Sequence, residues 1–293
     1  MTHGRDTDLV DHSIMITREY GEAWARYGEL GFTLSPESRH RVTTEAGGPL
    51  VPSCTANRCA YFGESFIEVI GIVDDTAPDP WDVLPLVDRY GGLHGASFGF
   101  GDSTSALARL RSVGLASSGV LSLQRPVDTP DGPAVVRARS VHIDRAKTPE
   151  GILHTAEHLT PQHVHQPRFL RHPNGARYLD SVVLVVADDE GGAYVDRYAA
   201  MLGRQSTSDG PARVFRLRVG SVRIVPVSAL ADVLPGEAVP ALPYFAAVGV
   251  GVADVDAARD LVKGNGIPTH DLPEGFFVSA ADAFGAAVVF RQA

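Results

Sequence analysis

A unit of one strand, one helix and three strands recurs four times along the 293 residues, and this repeat constrains the fold more than any single motif does. In the first copy DHSIMIT (11–17) has the β-branched character of a strand. EYGEAWARYGELGF behind it sets Ala23, Trp24, Tyr27 and Leu30 at helical spacing before Gly31 stops the helix. FTLSPES, NRCAYFG and SFIEVIGIV then read as short strands separated by Gly, Pro and Ser. The second copy runs through LHGASFGF (93–100), STSALARLRSVG, GVLSLQRPV, AVVRARSVHI and GILHTAEHL. A third runs through DSVVLVVAD (180–188), AYVDRYAAMLG, ARVFRLRVG and SVRIVPV, and a fourth through YFAAVGVGVAD (244–254), VDAARDLVKGNG, GFFVSAA and GAAVVFRQ. One such unit has too little core to stand alone and must join a neighbour. The expected fold is therefore α+β: four βαβββ modules paired into two curved, partly closed barrels, over residues 1–165 and 166–293. Between them lies LTPQHVHQPRFLRHPNGARY (159–178), a connection long enough to be a linker or functional, in which HPNG reads as a turn.

Composition narrows the partners. With 26 Lys and Arg against 35 Asp and Glu the net charge is −9, and no stretch concentrates basic residues, which argues against nucleic acid. The N-terminal MTHGRDTDLVDH is polar without an apolar core, and no apolar run has membrane-spanning length, so the expected compartment is the cytoplasm without membrane contact. Cys54 and Cys59 are spaced C-x4-C, unlike a C-x2-C zinc knuckle, and read as free thiols. Neither a glycine-rich phosphate loop nor a serine nucleophile elbow is present.

Paired βαβββ modules, with DH opening the first strand, LGF closing the first helix, TANR, FIEVIG, and EHLTP followed by RHPNGA, resemble the glyoxalase-like branch of the vicinal oxygen chelate superfamily. The resemblance covers nearly the whole chain and speaks for fold more than for reaction. It implies a metal site in the cleft between two modules, with ligands from the first and fourth strand of each. On this chain those positions are His12 and Glu68 in the first module, and His94 and Glu157 in the second. A carboxylate flanked by Phe66, Ile67, Val69 and Ile70 is costly to bury unless a cation compensates it. Counting back from Asp102 places Gly95 rather than His94 opposite His12, so a bulge is needed to bring His94 to the site. In the second half the corresponding places hold Ser181, Ile224, Ala247 and a residue near Val288, none of ligand type.

The resemblance thus implies a divalent metal (Zn, Fe, Mn, Co or Ni) and a small vicinally oxygenated substrate, turned over by a lyase, isomerase or hydrolase through a stabilised oxyanion. Glu157 and His158 are the candidate proton carriers; Asn57, Arg58, Phe98 and Phe100 are the candidate substrate contacts. Dioxygenation is less favoured, because two histidine ligands require His94 as well as His12. Bland readings stand beside these. His12 can be a strand-end histidine, and Glu157 can hold the EHLTP turn with an arginine such as Arg168. His154, His163 and His165 can be solvated, and Trp24 and Trp81 can be packing residues. The rival function is a metal-free protein that shelters a hydrophobic metabolite or antibiotic. The second half is expected to be a degenerate copy with a structural or dimerising role, a homodimer being compatible with either function.

Overall fold

The computed structural model describes residues 7–43, 45, 47–115 and 117–293; the first six residues of the polar N-terminal stretch lie outside them. Two modules fill the first half: β1 (Thr7–Thr17), α1 (Tyr20–Glu29), β2 (Ser38–Val42), β3 (Val51–Tyr61) and β4 (Phe66–Ile72), then, after α2 (Leu84–Arg89), β5 (Gly92–Phe100), α3 (Ser103–Ser112), β6 (Ser117–Thr129), β7 (Gly132–Ile143) and β8 (Ile152–His158). The short α4 (Pro161–Val164) leads into the second half: β9 (Ala176–Val186), α5 (Gly191–Leu202), β10 (Thr207–Asp209), β11 (Ala212–Arg216), β12 (Ser221–Pro226), α6 (Leu230–Val233), β13 (Tyr244–Val252), α7 (Val255–Gly264), β14 (His270–Leu272), β15 (Gly275–Val278) and β16 (Ala287–Gln292). FTLSPES is not a strand. The chain is irregular up to Glu37, with Pro36 unable to donate to a ladder, and pairing starts at Ser38.

The first and last strands of each module run parallel (β1 with β4, β5 with β8, β9 with β12, β13 with β16), and two modules join through their antiparallel first strands. In the first half β2 also pairs with β6, closing a barrel in the order β1-β4-β3-β2-β6-β7-β8-β5. In the second half the equivalent β10 and β14 are three residues each and form the two edges of an open eight-stranded sheet. Closure therefore follows strand length: the barrel owes its hollow to long β6 and β7, which pair over most of their length.

The long helices α1, α3, α5 and α7 lie against the outer faces. Trp24 of α1 is buried and donates its indole N–H to the Val69 carbonyl at 3.0 Å, while Asp102 and Asp254 cap α3 and α7 through backbone N–H groups of the first turn. One apolar core runs through both halves, joining Tyr27, Phe32 and Phe98 to Tyr198, Phe215 and Phe290. The connection from β8 to β9 is a packed strap. Its Val164 enters a cluster with Cys59, Tyr61, Phe66 and Val136. Beyond it, His172 accepts the Thr33 N–H and donates to the Tyr61 carbonyl, and Asn174 in the expected HPNG turn holds the Leu30 carbonyl. Both cysteines are buried and free, and among the described residues no helix is long and apolar enough to cross a membrane.

One buried ion pair ties the halves. Glu150, 1% exposed, follows β7 and accepts from Arg197 of α5 and from the Tyr198 hydroxyl. Arg197→Ala leaves that carboxylate without its countercharge and is expected to destabilise the fold by about 3–5 kcal/mol, with Glu150→Gln restoring part of the loss in the double variant. Urea unfolding of the three variants measures both effects.

Candidate functional site

The closed barrel surrounds a cavity, and strand alternation decides which residues enter it. On β8, Ile152, His154, Ala156 and His158 line the wall; on β4, Phe66, Glu68 and Ile70 do; on β1, His12 and Ile14 do. Register carries the equivalence between modules. Ile14 pairs with Glu68, and Ser97, in the corresponding place on β5, pairs with His154. The second module's counterpart of Glu68 is therefore His154, and the counterpart of His12 is Gly95. A Cβ at Gly95 would lie 2.0 Å from the Ile152 carbonyl oxygen, so that position accepts no side chain.

A β-bulge shapes the centre. Val10 pairs with Phe98 and His12 with Ser97, leaving Asp11 as the extra residue on β1. Bulges re-aim side chains, and here two consecutive residues meet: the His12 Nδ1–H donates to Asp11 Oδ1 at 2.6 Å. His158 Nε2–H donates to the same carboxylate at 3.0 and 3.2 Å. Burial raises the Asp11 pKa, but the His158 charge and the bonds from both imidazoles outweigh it and hold the group well below the usual carboxylate range. Burial lowers the His158 pKa, and Asp11 more than reverses that, so the net shift is upward.

Glu68 occupies the opposite side. Its Oε1 accepts from Asn57 Nδ2 at 2.5 Å and lies 3.4 Å from His40 Nε2; its Oε2 lies 3.6 Å from His12 Nε2. Burial pushes Glu68 up, while the His40 bond, the two histidine charges and Asn57 bring it to about 2. His154 donates from Nδ1 to the Thr155 carbonyl at 3.0 Å, leaving Nε2 as a bare acceptor. Burial first, then the charge of His12, lowers His154 to about 4, so it is neutral near pH 7.

The structure thus brings His12, Glu68, Asn57 and His158 together and places the other expected residues elsewhere. Glu157 lies between two inward residues and so turns outward, where it accepts the Ser103 N–H at the start of α3; Arg168 meets the Asp128 carbonyl instead of Glu157. The bulge imagined at His94 exists, since Ile14 pairs with Gly95 and Met15 with Leu93, yet it does not turn His94 inward. His94 packs on Tyr90 at 4.2 Å, donates to the Tyr90 carbonyl and is pushed by burial to about 4. Arg58, next to inward Asn57, faces outward over the Trp24 ring at 5.0 Å. Phe98 and Phe100 belong to the core between barrel and helices. Trp81, expected to be packing, lines the cavity against His40 at 5.0 Å.

His40 and Arg125 are contributors that the sequence did not single out, and His154, read there as solvated, is a third, set in β8 with its ring in the cavity wall. Each carries an alternation signal: His40 two places after the buried Ser38, His154 between Ile152 and Ala156, and Arg125 after Leu121 and Leu123. In the second half the register places Ser181, Arg223, Ala247 and Val289 at the four positions, with Arg223 rather than Ile224 opposite Val183 and bound to Asp209 at 2.9 Å. The concave face is filled there: Val183, Val225, Ala247 and Val289 pack with Ala229, Leu230 and Leu234.

A family model for a glyoxalase-like domain matches residues 10–202. The chain belongs to the glyoxalase-like domain family. No curated protein matches the sequence. Among solved structures, a hypothetical protein from Staphylococcus aureus is similar at a TM-score of 0.64 and 10% identity, over 97% of this chain and 98% of that one. A variant of 4-hydroxymandelate synthase from Streptomyces coelicolor is similar at 0.54 and 14%, over 92% and 78%. A xylose isomerase-like TIM barrel/4-hydroxyphenylpyruvate dioxygenase fusion protein is similar at 0.59 and 12%, over 98% of this chain and 49% of that one. At these identities the likeness is one of fold. The two eight-stranded curled sheets of this glyoxalase-like protein match the paired domains of vicinal oxygen chelate proteins.

The Asp11 clamp has a pH signature. The depressed Asp11 contributes stability above its unfolded value near 3.9, lost as pH falls; the raised His158 contributes fully below about 6.5, lost as pH rises through its folded value. Both contributions are present together between roughly pH 4 and 6.5. Asp11→Asn leaves burial as the dominant influence on His158 and is expected to move its pKa below 6.5, as read from histidine ring proton shifts.

Proposed function

We propose that the barrel cavity is the active site of a divalent-metal-dependent enzyme acting on a small, vicinally oxygenated molecule. The carrying observation is the approach of His12 Nε2 to Glu68 Oε2 at 3.6 Å. With Nδ1–H given to Asp11, His12 turns Nε2 toward a carboxylate oxygen, and a proton or a cation between the two is what makes that approach favourable. The donors fit a borderline divalent ion: His12 Nε2, the bare Nε2 of His154, and Glu68, whose other oxygen Asn57 and His40 orient. Among the described residues no three His, Cys, Asp or Glu side chains already stand close enough together to form a coordination group. Gly95 stands in place of a fourth side chain.

When bound, a divalent ion supplies Lewis acidity toward adjacent substrate oxygens. The protein's own groups do the rest. Asp11 favours the protonated form of His158, whose Nδ1 is buried with no hydrogen-bond partner among the described residues, so that atom is free to hold or deliver a proton beside the cavity. Phe66, Ile70 and Val136 line the same cavity with apolar surface. The second histidine that dioxygenation requires is supplied by His154 rather than His94, so that chemistry stands level with lyase and isomerase outcomes. A metal-free binding role is the second reading, favoured by the hydrogen bonds Glu68 already accepts within the chain.

Metal content by plasma mass spectrometry, on untagged protein equilibrated with Zn, Mn, Ni and anaerobic Fe(II), separates the two. Near-stoichiometric metal that falls about tenfold or more in His12→Ala, Glu68→Ala and His154→Ala, and persists in Glu157→Ala, is the expected result. No uptake of any of the four metals leaves the binding role.

A further inference from the structure

We infer that the molecule taken by the cavity carries a carboxylate and that Arg125 receives it. This deepens the proposed function and rests on its reading of the cavity as the working site. Arg125 is 7% exposed and lines the barrel interior. Among the described residues its guanidinium makes one hydrogen bond, to the Tyr61 hydroxyl oxygen at 2.6 Å, and no contact ion pair; the Glu68 carboxylate acts on it only from beyond ion-pair distance. Tyr61 supplies no countercharge, because burial raises its hydroxyl far above the ordinary range and keeps it neutral.

Of the other described arginines with buried nitrogens, Arg197 pairs with Glu150, Arg204 with Asp8, Arg223 with Asp209 and Arg259 with Asp256, while Arg58 and Arg145, which have no ion pair among the described residues, lie outside the cavity wall. The acids of the barrel are already engaged, Asp11 by His12 and His158, and Glu68 by Asn57, His12 and His40. A cation is therefore left over on a wall whose neighbours are Leu123, Val136 and Val164. A buried guanidinium without a countercharge is costly, and its planar fork matches a carboxylate in two parallel bonds. Ile14, Phe66 and Trp81 provide apolar surface between that wall and Glu68. The ligand class this selects is a carboxylic acid with an apolar body and further oxygen atoms turned toward His12 and Glu68.

The test is calorimetric titration with phenylacetate and with its neutral isostere phenylacetamide, on chelator-treated and on zinc-loaded protein. Wild type is expected to prefer the acid by about tenfold or more with and without metal, as a charged hydrogen bond implies. Arg125→Met is expected to bind both alike, and Glu68→Gln to keep the preference. Equal affinities in wild type, or a preference that survives Arg125→Met, overturn the inference. A preference that appears only with zinc and survives Arg125→Met overturns it while leaving the active-site reading intact. Should Arg125→Met fail to fold, the wild-type Arg125 Nε–H resonance, assigned with Arg125→Lys, decides: a shift on adding phenylacetate but not phenylacetamide supports the inference, and no shift while the acid binds refutes it.

Discussion

Asp11 keeps a full negative charge inside the protein because two imidazoles face it from different strands. The bond to His12 fixes which nitrogen of that ring looks toward Glu68, and the bond to His158 draws β8 to the start of β1. Each imidazole alone gains little from burial, yet together they answer a carboxylate that water no longer solvates. The contact holds a tautomer, a charge state and the joint of two modules at once. Removing the carboxylate therefore alters the chemistry of both histidines and the electrostatics of the barrel end.

Duplication explains why these groups meet, and asymmetry explains why they meet once. Pairing through β1 and β5 brings first and fourth strands of two modules to a common axis, as pairing through β9 and β13 does in the other half. Only the first half has strands long enough to close a barrel and keep a hollow. In the second, three-residue edges leave the sheet open, and the segment around Leu230 and Leu234 packs into the concave face. Arg223, tied to Asp209, then occupies the place of Glu68 with the opposite charge.

The repeat made the architecture readable, since four copies of one pattern agree in a way that no single strand can. His12 and Glu68 were readable for the same reason: each breaks an apolar run with a group that needs a partner. What failed was register. A strand turns its face at every residue, and aligning copies by residue type drew His94 and Glu157 to places that the ladder gives to Gly95 and His154. The glycine is required by the approach of the Ile152 carbonyl, a contact between distant strands with no trace in local sequence. His40 was hidden in a polar run, SRHRV, which looks solvated until β2 is known to close a barrel. Arg58, Phe98 and Phe100 were assigned by chemical type without a facing direction, and alternation sends all three outward.

The filled second sheet divides the chain into two regimes of sequence drift. Around the hollow, a substitution is judged by charge, tautomer and hydrogen-bond direction, so few alternatives serve. Around Leu230 and Leu234 it is judged by volume, and other apolar combinations of the same bulk serve as well. Descendants of such a chain would diverge unevenly, holding their polar interior at one end while the apolar interior at the other is rewritten at constant size.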